Sequence, residues 1–360
     1  MHNVPWFHQS ADIWLRHVLS IHFDPQTGTP YWLEQARKMG VDVLQQIRST
    51  DDLGILGPMN PKALATRPVE DFIPRRYHLE KESFTLGDTA GTTGTPKVTA
   101  YRNDEFHAAF VEYFGFVAEK LGFPKSLNWL WIGPGGPHII GKAARMVARR
   151  MGSLDPFAID FDARWIKKLV PGSMGWERYF QHIEDQALHI LRTQDIGVLF
   201  STPPVLKRLA DKMNPALRRR IKGVHYGGMA LSPELYLRLR NDCFPEAVHI
   251  SGYGNTLFGV CLEVESNPDG RLHYFPPGVR LLIDIIGPDN RKVDYGQRGR
   301  VVFSRLDESF LILNMLERDQ ATRIPAGAAA RAFGLTLDGL ADPGPDPTPD
   351  TAKKMALGLY

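Results

Sequence analysis

Four short apolar runs between Leu127 and Ile250 constrain the fold of this chain more than any other feature. Residues 127–132, 196–200, 223–226 and 247–250 have strand length, and each runs into a loop of Gly, Pro, Ser, Thr or Asn. Helical stretches lie between them at 141–151, 177–191 and 205–212, and a further one opens at Ser232-Pro233-Glu234 with a capping serine and a first-turn proline. Parallel neighbours need a long crossover, usually a helix, so this alternation predicts a mostly parallel sheet with helices on both faces. From Gly259 the pattern changes. Runs at 260–265, 272–275, 279–285, 299–304 and 310–315 follow one another through turns such as Pro288-Asp289-Asn290. They predict an antiparallel, barrel-like sheet added to the first. The fold class is therefore α/β, with layered, mostly parallel sheets and an antiparallel appendage.

The remaining segments fill in around that core. Residues 1–75 read as an N-terminal helical region, 76–258 as the α/β core, 259–325 as the antiparallel subdomain and 326–360 as a C-terminal tail. Within the core, Phe106, Ala109, Phe110, Tyr113, Phe114 and Val117 recur at helical spacing, which marks a buried helix face. The tail's Asp342-Pro343-Gly344-Pro345-Asp346-Pro347-Thr348-Pro349 reads as extended and mobile.

Composition narrows the function classes. With 360 residues, 43% of them hydrophobic, a large core is available. The formal charge of +3 comes without a long basic run; Arg149-Arg150 and Arg218-Arg219-Arg220 sit near predicted helix ends, where cations suit the dipole, so no nucleic-acid partner is expected. Cys243 and Cys261 lack both a disulfide framework and metal-ligand spacing, which fits a reducing compartment. No apolar run reaches the ~18 residues of a membrane span, and the N-terminus carries no leader pattern. A cytoplasmic protein is expected, and nothing in the sequence fixes its oligomeric state.

The chemistry concentrates in Thr89-Ala90-Gly91-Thr92-Thr93-Gly94-Thr95-Pro96-Lys97. Glycines let backbone N–H groups approach a ligand closely, and a curved row of such groups binds anions. Threonine hydroxyls add donors and Lys97 adds a mobile positive charge. The spacing is not that of a P-loop. It resembles the phosphate loop of the adenylate-forming enzymes, which read Ser/Thr-Ser/Ala-Gly-Thr-Thr-Gly-x-Pro-Lys. The segment from Pro30-Tyr31-Trp32 through Ser49-Thr50-Asp51-Asp52-Leu53 resembles, within them, the phenylacetate–CoA ligase-like group.

That resemblance spans roughly residues 28–325 and implies a set of roles. Thr89, Gly91, Thr92, Thr93, Gly94 and Lys97 would hold the phosphates of ATP, with Thr92, Thr93 and Lys97 acting in the reaction. Gly227-Gly228 would lie along adenine. Tyr253-Gly254-Asn255-Thr256 matches Tyr-Gly-x-Ser/Thr, where the tyrosine stacks on adenine and the hydroxyl reaches a phosphate. Asp319 falls on the aspartate that binds both ribose hydroxyls, and Arg323 near an arginine that touches ribose or phosphate. His138, in Gly133-Pro134-Gly135-Gly136-Pro137-His138, resembles a substrate-side histidine; with Trp131 and Tyr226 it would line an acid pocket of flat, apolar character. The implied reaction joins a carboxylic acid to AMP with release of pyrophosphate, using ATP and Mg2+, and passes the acyl group to coenzyme A, a carrier protein or an amine, on a partner chain or free.

Three departures accompany it. Leu257 stands where the family carries a metal-binding glutamate, with Glu263 and Glu265 the next carboxylates along the chain. Asn314 and Arg318 replace the arginine and glycine of the motif around Asp319. The family's lysine-bearing C-terminal domain has no counterpart, Lys353-Lys354 lying outside any glycine-rich lysine motif. These departures define an alternative, a nucleotide- or acyl-binding subunit with impaired catalysis.

Overall fold

The computed structural model describes residues 1, 4–89, 95–166 and 168–345. β1 (Phe84–Asp88) and β2 (Val98–Arg102) form an antiparallel hairpin. β3 (Asn128–Gly133), β4 (Phe157–Asp160), β5 (Ile196–Ser201), β6 (Gly223–Tyr226) and β7 (Val248–Asn255) pair in parallel, in the order 4-3-5-6-7. The expected parallel core is thus present, with β4 as a fifth strand that the sequence pattern did not reveal. β8 (Gly259–Ser266), β9 (Leu272–Phe275), β10 (Leu281–Ile286), β11 (Arg298–Leu306), β12 (Leu311–Ile324) and β13 (Gly339–Pro345) extend the same sheet in antiparallel fashion.

β7 is where the sheet changes character. Its first half, Val248–Ser251, pairs in parallel with β6, while Gly252–Asn255 pairs antiparallel with β8. The two predicted sheets are therefore one mixed sheet of eleven strands. The tail expectation needs correction as well. Residues 339–345 are not a loose extension but a strand seated between β12 and β9, with Leu340 fully buried opposite Tyr274. Its Pro and Gly content hid it, because prolines cannot donate to a ladder and seldom occur inside sheets. The remainder of that Pro/Asp run lies outside the described residues.

Register assigns each side chain of the parallel half to a face. Trp131, Phe200 and His225 are paired across β3, β5 and β6, and their rings touch at 4.4 and 4.1 Å. That face packs on the helical segment 103–120, where Phe114 lies 4.7 Å from His225 and all six residues of the predicted stripe are buried. On the opposite face lie Ile132, Ser201 and Tyr226, the first against the helices Met174–Thr193 and Pro203–Lys212. The N-terminal region is pinned to the antiparallel half: Trp14 and Trp32 donate their indole N–H groups to the carbonyls of Leu306 (2.8 Å) and Leu311 (3.0 Å).

Beneath the junction of the two halves sits a buried ionic network. Asp307 is held by Arg280 (2.6 and 2.8 Å) and by Arg305 (2.5 Å), all three wholly shielded from solvent. The arginines also reach backbone, and Arg305 the Thr99 hydroxyl at 2.8 Å. Arg305 donates to Ala100 O (2.7 Å) and Leu257 O (3.1 Å), and Arg280 to Phe258 O (2.9 Å). The network thereby ties β10 and β11 to β2 and to the turn that follows β7.

Glu263, in β8, is a second buried charge site. It accepts from the Ser251 N–H (3.2 Å) and the Tyr236 hydroxyl (3.2 Å), and burial pushes its carboxyl up to about 8 from an ordinary 4.5. A carboxyl whose pKa rises on folding binds more protons in the native state between those values, so its contribution weakens stability as pH climbs from about 4.5 to about 8. Glu263→Gln removes that slope. Urea unfolding from pH 5 to 8 is expected to show the variant gaining on the wild type steadily as pH rises. A constant difference between the two would contradict the assignment. Among the described residues no helix is long and apolar enough to cross a membrane.

Candidate functional site

The predicted phosphate loop is the connection of the β1–β2 hairpin. Ala90, Gly91, Thr92, Thr93 and Gly94 lie outside the described residues, but both ends of the loop are fixed. The Thr89 N–H donates to Lys97 O (2.9 Å) and the Lys97 N–H to Thr89 Oγ1 (3.0 Å), closing the neck. Arg164 clamps the outgoing strand, donating to Asp88 Oδ1 (2.9 Å) and Thr89 O (3.0 Å). Thr256 Oγ1 reaches Asp88 O at 3.4 Å, and the Tyr101 hydroxyl holds Thr256 O at 2.9 Å. The Thr256 motif and the loop's root are therefore in direct contact.

The second component is a pair of rungs between β7 and β12. Tyr253 donates its hydroxyl to Asp319 Oδ2 (3.1 Å), and Asn255 donates its amide to Glu317 Oε1 (2.7 Å). Three strands separate β7 from β12 within the sheet, so these contacts exist only because the antiparallel half curls back on itself. β12 bulges opposite Arg300–Val302, where Glu317 and Asp319 lie, and Arg300 takes up the Glu317 carbonyl at 2.6 Å. Bulges of this kind re-aim side chains near sites. Asn255 also accepts from the Leu257 and Phe258 N–H groups (2.8 and 3.1 Å), so one side chain shapes the turn and holds the carboxylate. Gly254 is sterically required, since a Cβ there would come within 2.2 Å of Gly259 O.

Electrostatics make this cluster a strained place for negative charge. Burial, reinforced by Asp319, pushes the Glu317 carboxyl up to about 7, with Asn255 and the Lys97 ammonium pulling the other way. Burial also raises Asp319 above the ordinary aspartate range, and it raises Tyr253 well above the ordinary phenol value with the help of both carboxylates. A cationic or hydrogen-bonding ligand entering here would relieve the two acids.

Other predicted residues distribute unevenly. Gly227 and Gly228 follow β6 directly, and Gly228 has φ +79°, a conformation suited to glycine. His138 caps the helix Ile139–Arg150 and is buried beside the loop's root, where Asp88 N–H meets Pro137 O at 3.2 Å; burial and then Arg164 lower its pKa, favouring the neutral ring. Trp131 and Tyr226 do not share a pocket wall. They lie on opposite faces of the sheet, and Tyr226 hydrogen-bonds His249. Arg323 does not join the cluster either: its guanidinium is held by Asp338 (2.7 and 3.0 Å) and Val293 O (2.8 Å) and covers the Tyr295 ring at 4.2 Å. Asn314, at the family's arginine position, anchors the segment 50–57 through Leu53 O (2.7 Å) and Gly57 O (3.0 Å).

The carboxylates that follow Leu257 point elsewhere. Glu265 pairs with His273 at 2.5 Å and Glu263 belongs to the Ser251–Tyr236 cluster, while Leu257 itself is buried. Sequence reasoning missed Arg164, Asp88 and Glu317. Only Glu317 left a signal, standing two residues before Asp319 and hence on the same strand face. A cleft of about 840 Å³ lined by residues of β10–β12, among them Leu282, Asp284, Ser304 and Asn314, contains none of the assigned residues. Two of its carboxylates, Asp284 and Asp338, are already paired with Lys292 and Arg323.

No protein-family profile matches the sequence, and no curated protein matches it. Solved structures do. A 2-hydroxyisobutyryl-CoA ligase in complex with 2-HIB-AMP and CoA, in the thioesterification state, aligns over 92% of this chain with TM-score 0.70 at 18% identity. An open conformation of that ligase, also with 2-HIB-AMP and CoA, aligns over 91% with TM-score 0.70 at 16% identity. This chain spans 66% and 72% of the length of those two chains. The chain shares the fold of that CoA ligase.

Proposed function

We propose that this chain, on its adenylate-forming ligase fold, binds ATP between Asp319 and the loop 89–97 and activates a carboxylic acid as an acyl-adenylate. The observation that carries the reading is the double rung Tyr253–Asp319 and Asn255–Glu317, set one residue from Thr256, which touches the loop's root. A hydroxyl-binding acid at one end and an anion-binding hairpin at the other match the two ends of a nucleotide. Lys97 and the loop's N–H and hydroxyl groups would stabilise charge on the phosphates, where most of the catalytic effect of such enzymes arises. His138, at the start of the helix Ile139–Arg150 and beside the loop's root, is the predicted residue best placed to line a pocket for the acid. Because Trp131 and Tyr226 lie on opposite faces of the sheet, the acid is assigned to the His138 side alone.

The acceptor follows from the structural relatives, which were captured with an acyl-AMP and CoA. A thiol of that kind is the acceptor proposed for this chain, working in the cytoplasm with ATP supplied as its magnesium salt. Kinship with the phenylacetate–CoA ligase group is part of this proposal. The test is exchange of labelled pyrophosphate into ATP across a panel of small and aromatic carboxylic acids. Acid-dependent exchange is the expected result. ATP binding without exchange for any acid would support instead a nucleotide-binding subunit, the reading that the buried Leu257 favours.

A further inference from the structure

We propose that Glu317 is the carboxylate through which this chain holds the divalent cation accompanying the nucleotide's phosphates. The inference rests on the nucleotide reading above and adds a residue to it. Of the two rungs, Glu317 is the one on the loop side. Its partner Asn255 adjoins Thr256, whose hydroxyl touches Asp88 at the loop's root, and the Lys97 charge acts on it. Glu317 therefore stands between Asp319, at the hydroxyl-binding end, and the anion-binding loop. A carboxylate facing polyphosphate repels it unless a cation lies between them.

The donor set fits magnesium. Mg2+ takes hard oxygen ligands and typically uses one or two carboxylates, with phosphate oxygens and water completing its shell. Among the described residues no group of three or more His, Cys, Asp and Glu side chains gathers as a cage, so a single carboxylate beside the phosphates is the arrangement this chain offers. Asp88 already faces the Arg164 guanidinium, Glu265 pairs with His273 and Glu263 with Ser251 and Tyr236, whereas Glu317 is held by a neutral amide on the loop side of Asp319. Asn255 holds Oε1 of Glu317, which makes Asn255 a positioning residue for that carboxylate.

Glu317→Gln tests this, because its amide oxygen can still accept from Asn255 while the charge is gone. Calorimetry would measure ATP affinity in magnesium and in EDTA, with circular dichroism as the check on folding. Wild type is expected to lose affinity about tenfold or more in EDTA, as for loss of a charge-assisted contact, and the variant to change by less than about threefold. Glu317→Asp retains the charge and is expected to retain the dependence; Glu317→Ala serves if the glutamine variant does not fold. A glutamine variant with the full wild-type magnesium dependence overturns the proposal, including the case of a neutral Glu317 donating to a phosphate oxygen. Failure of the nucleotide reading is distinct, since wild type would then bind ATP in neither buffer.

Discussion

Asp307→Ala is expected to destabilise the protein by about 3–5 kcal/mol, the usual consequence of stripping one partner from a buried ion pair. The alanine leaves Arg280 and Arg305 facing each other without their shared anion, in a place with no access to solvent. Neither arginine can escape by losing its proton. Both also hold backbone: Arg305 at Ala100 on β2 and at Leu257, Arg280 at Phe258. Loss of Asp307 should therefore lower the thermal midpoint by several degrees and weaken ATP binding in whatever fraction remains folded. A chain of this size need not unfold in two states, so the midpoint and the soluble yield are better measures than a fitted free energy. A variant with wild-type midpoint and yield would show that the triad is replaceable by packing alone.

The second large effect concerns Asp319. Hydrogen bonds to a charged group contribute about 1.5–3 kcal/mol each, so Asp319→Ala should weaken ATP by at least about tenfold. The same variant should no longer discriminate ATP from 2′-deoxy-ATP, which the wild type is expected to do. This second readout separates a ribose contact from general loosening of the site, because a structural defect would weaken both nucleotides and leave their ratio intact. Tyr253→Phe removes the other half of the rung and should preserve that ratio. If calorimetry finds equal affinities for the two nucleotides in the wild type, the ribose assignment is lost.

The residues that surprised were those whose partners are remote in sequence. Arg323 looked like a ligand by its distance from Asp319, yet Asp338 stands fifteen positions on and takes it. Asp338 belongs to the segment that the sequence presented as a tail. The Trp131 and Tyr226 pairing failed for a related reason. Alternation gives each side chain a face only once register is known, and the register of β3, β5 and β6 sets these two apart.

Local physical chemistry determined the strand-and-helix alternation, the buried stripe from Phe106 to Val117 and the glycine- and threonine-rich loop, because each depends on residues within a few positions of one another. Asp319 and Tyr253, 66 residues apart, were marked by the resemblance to the adenylate-forming enzymes rather than by local chemistry. Only the tertiary structure decided that the antiparallel half curls until β12 meets β7, across three intervening strands. That curl brings Glu317 to Asn255 and buries the Asp307 triad beneath the loop's second strand. No local pattern encodes it, because closure depends on the accumulated twist and bulges of six strands rather than on the preference of any one.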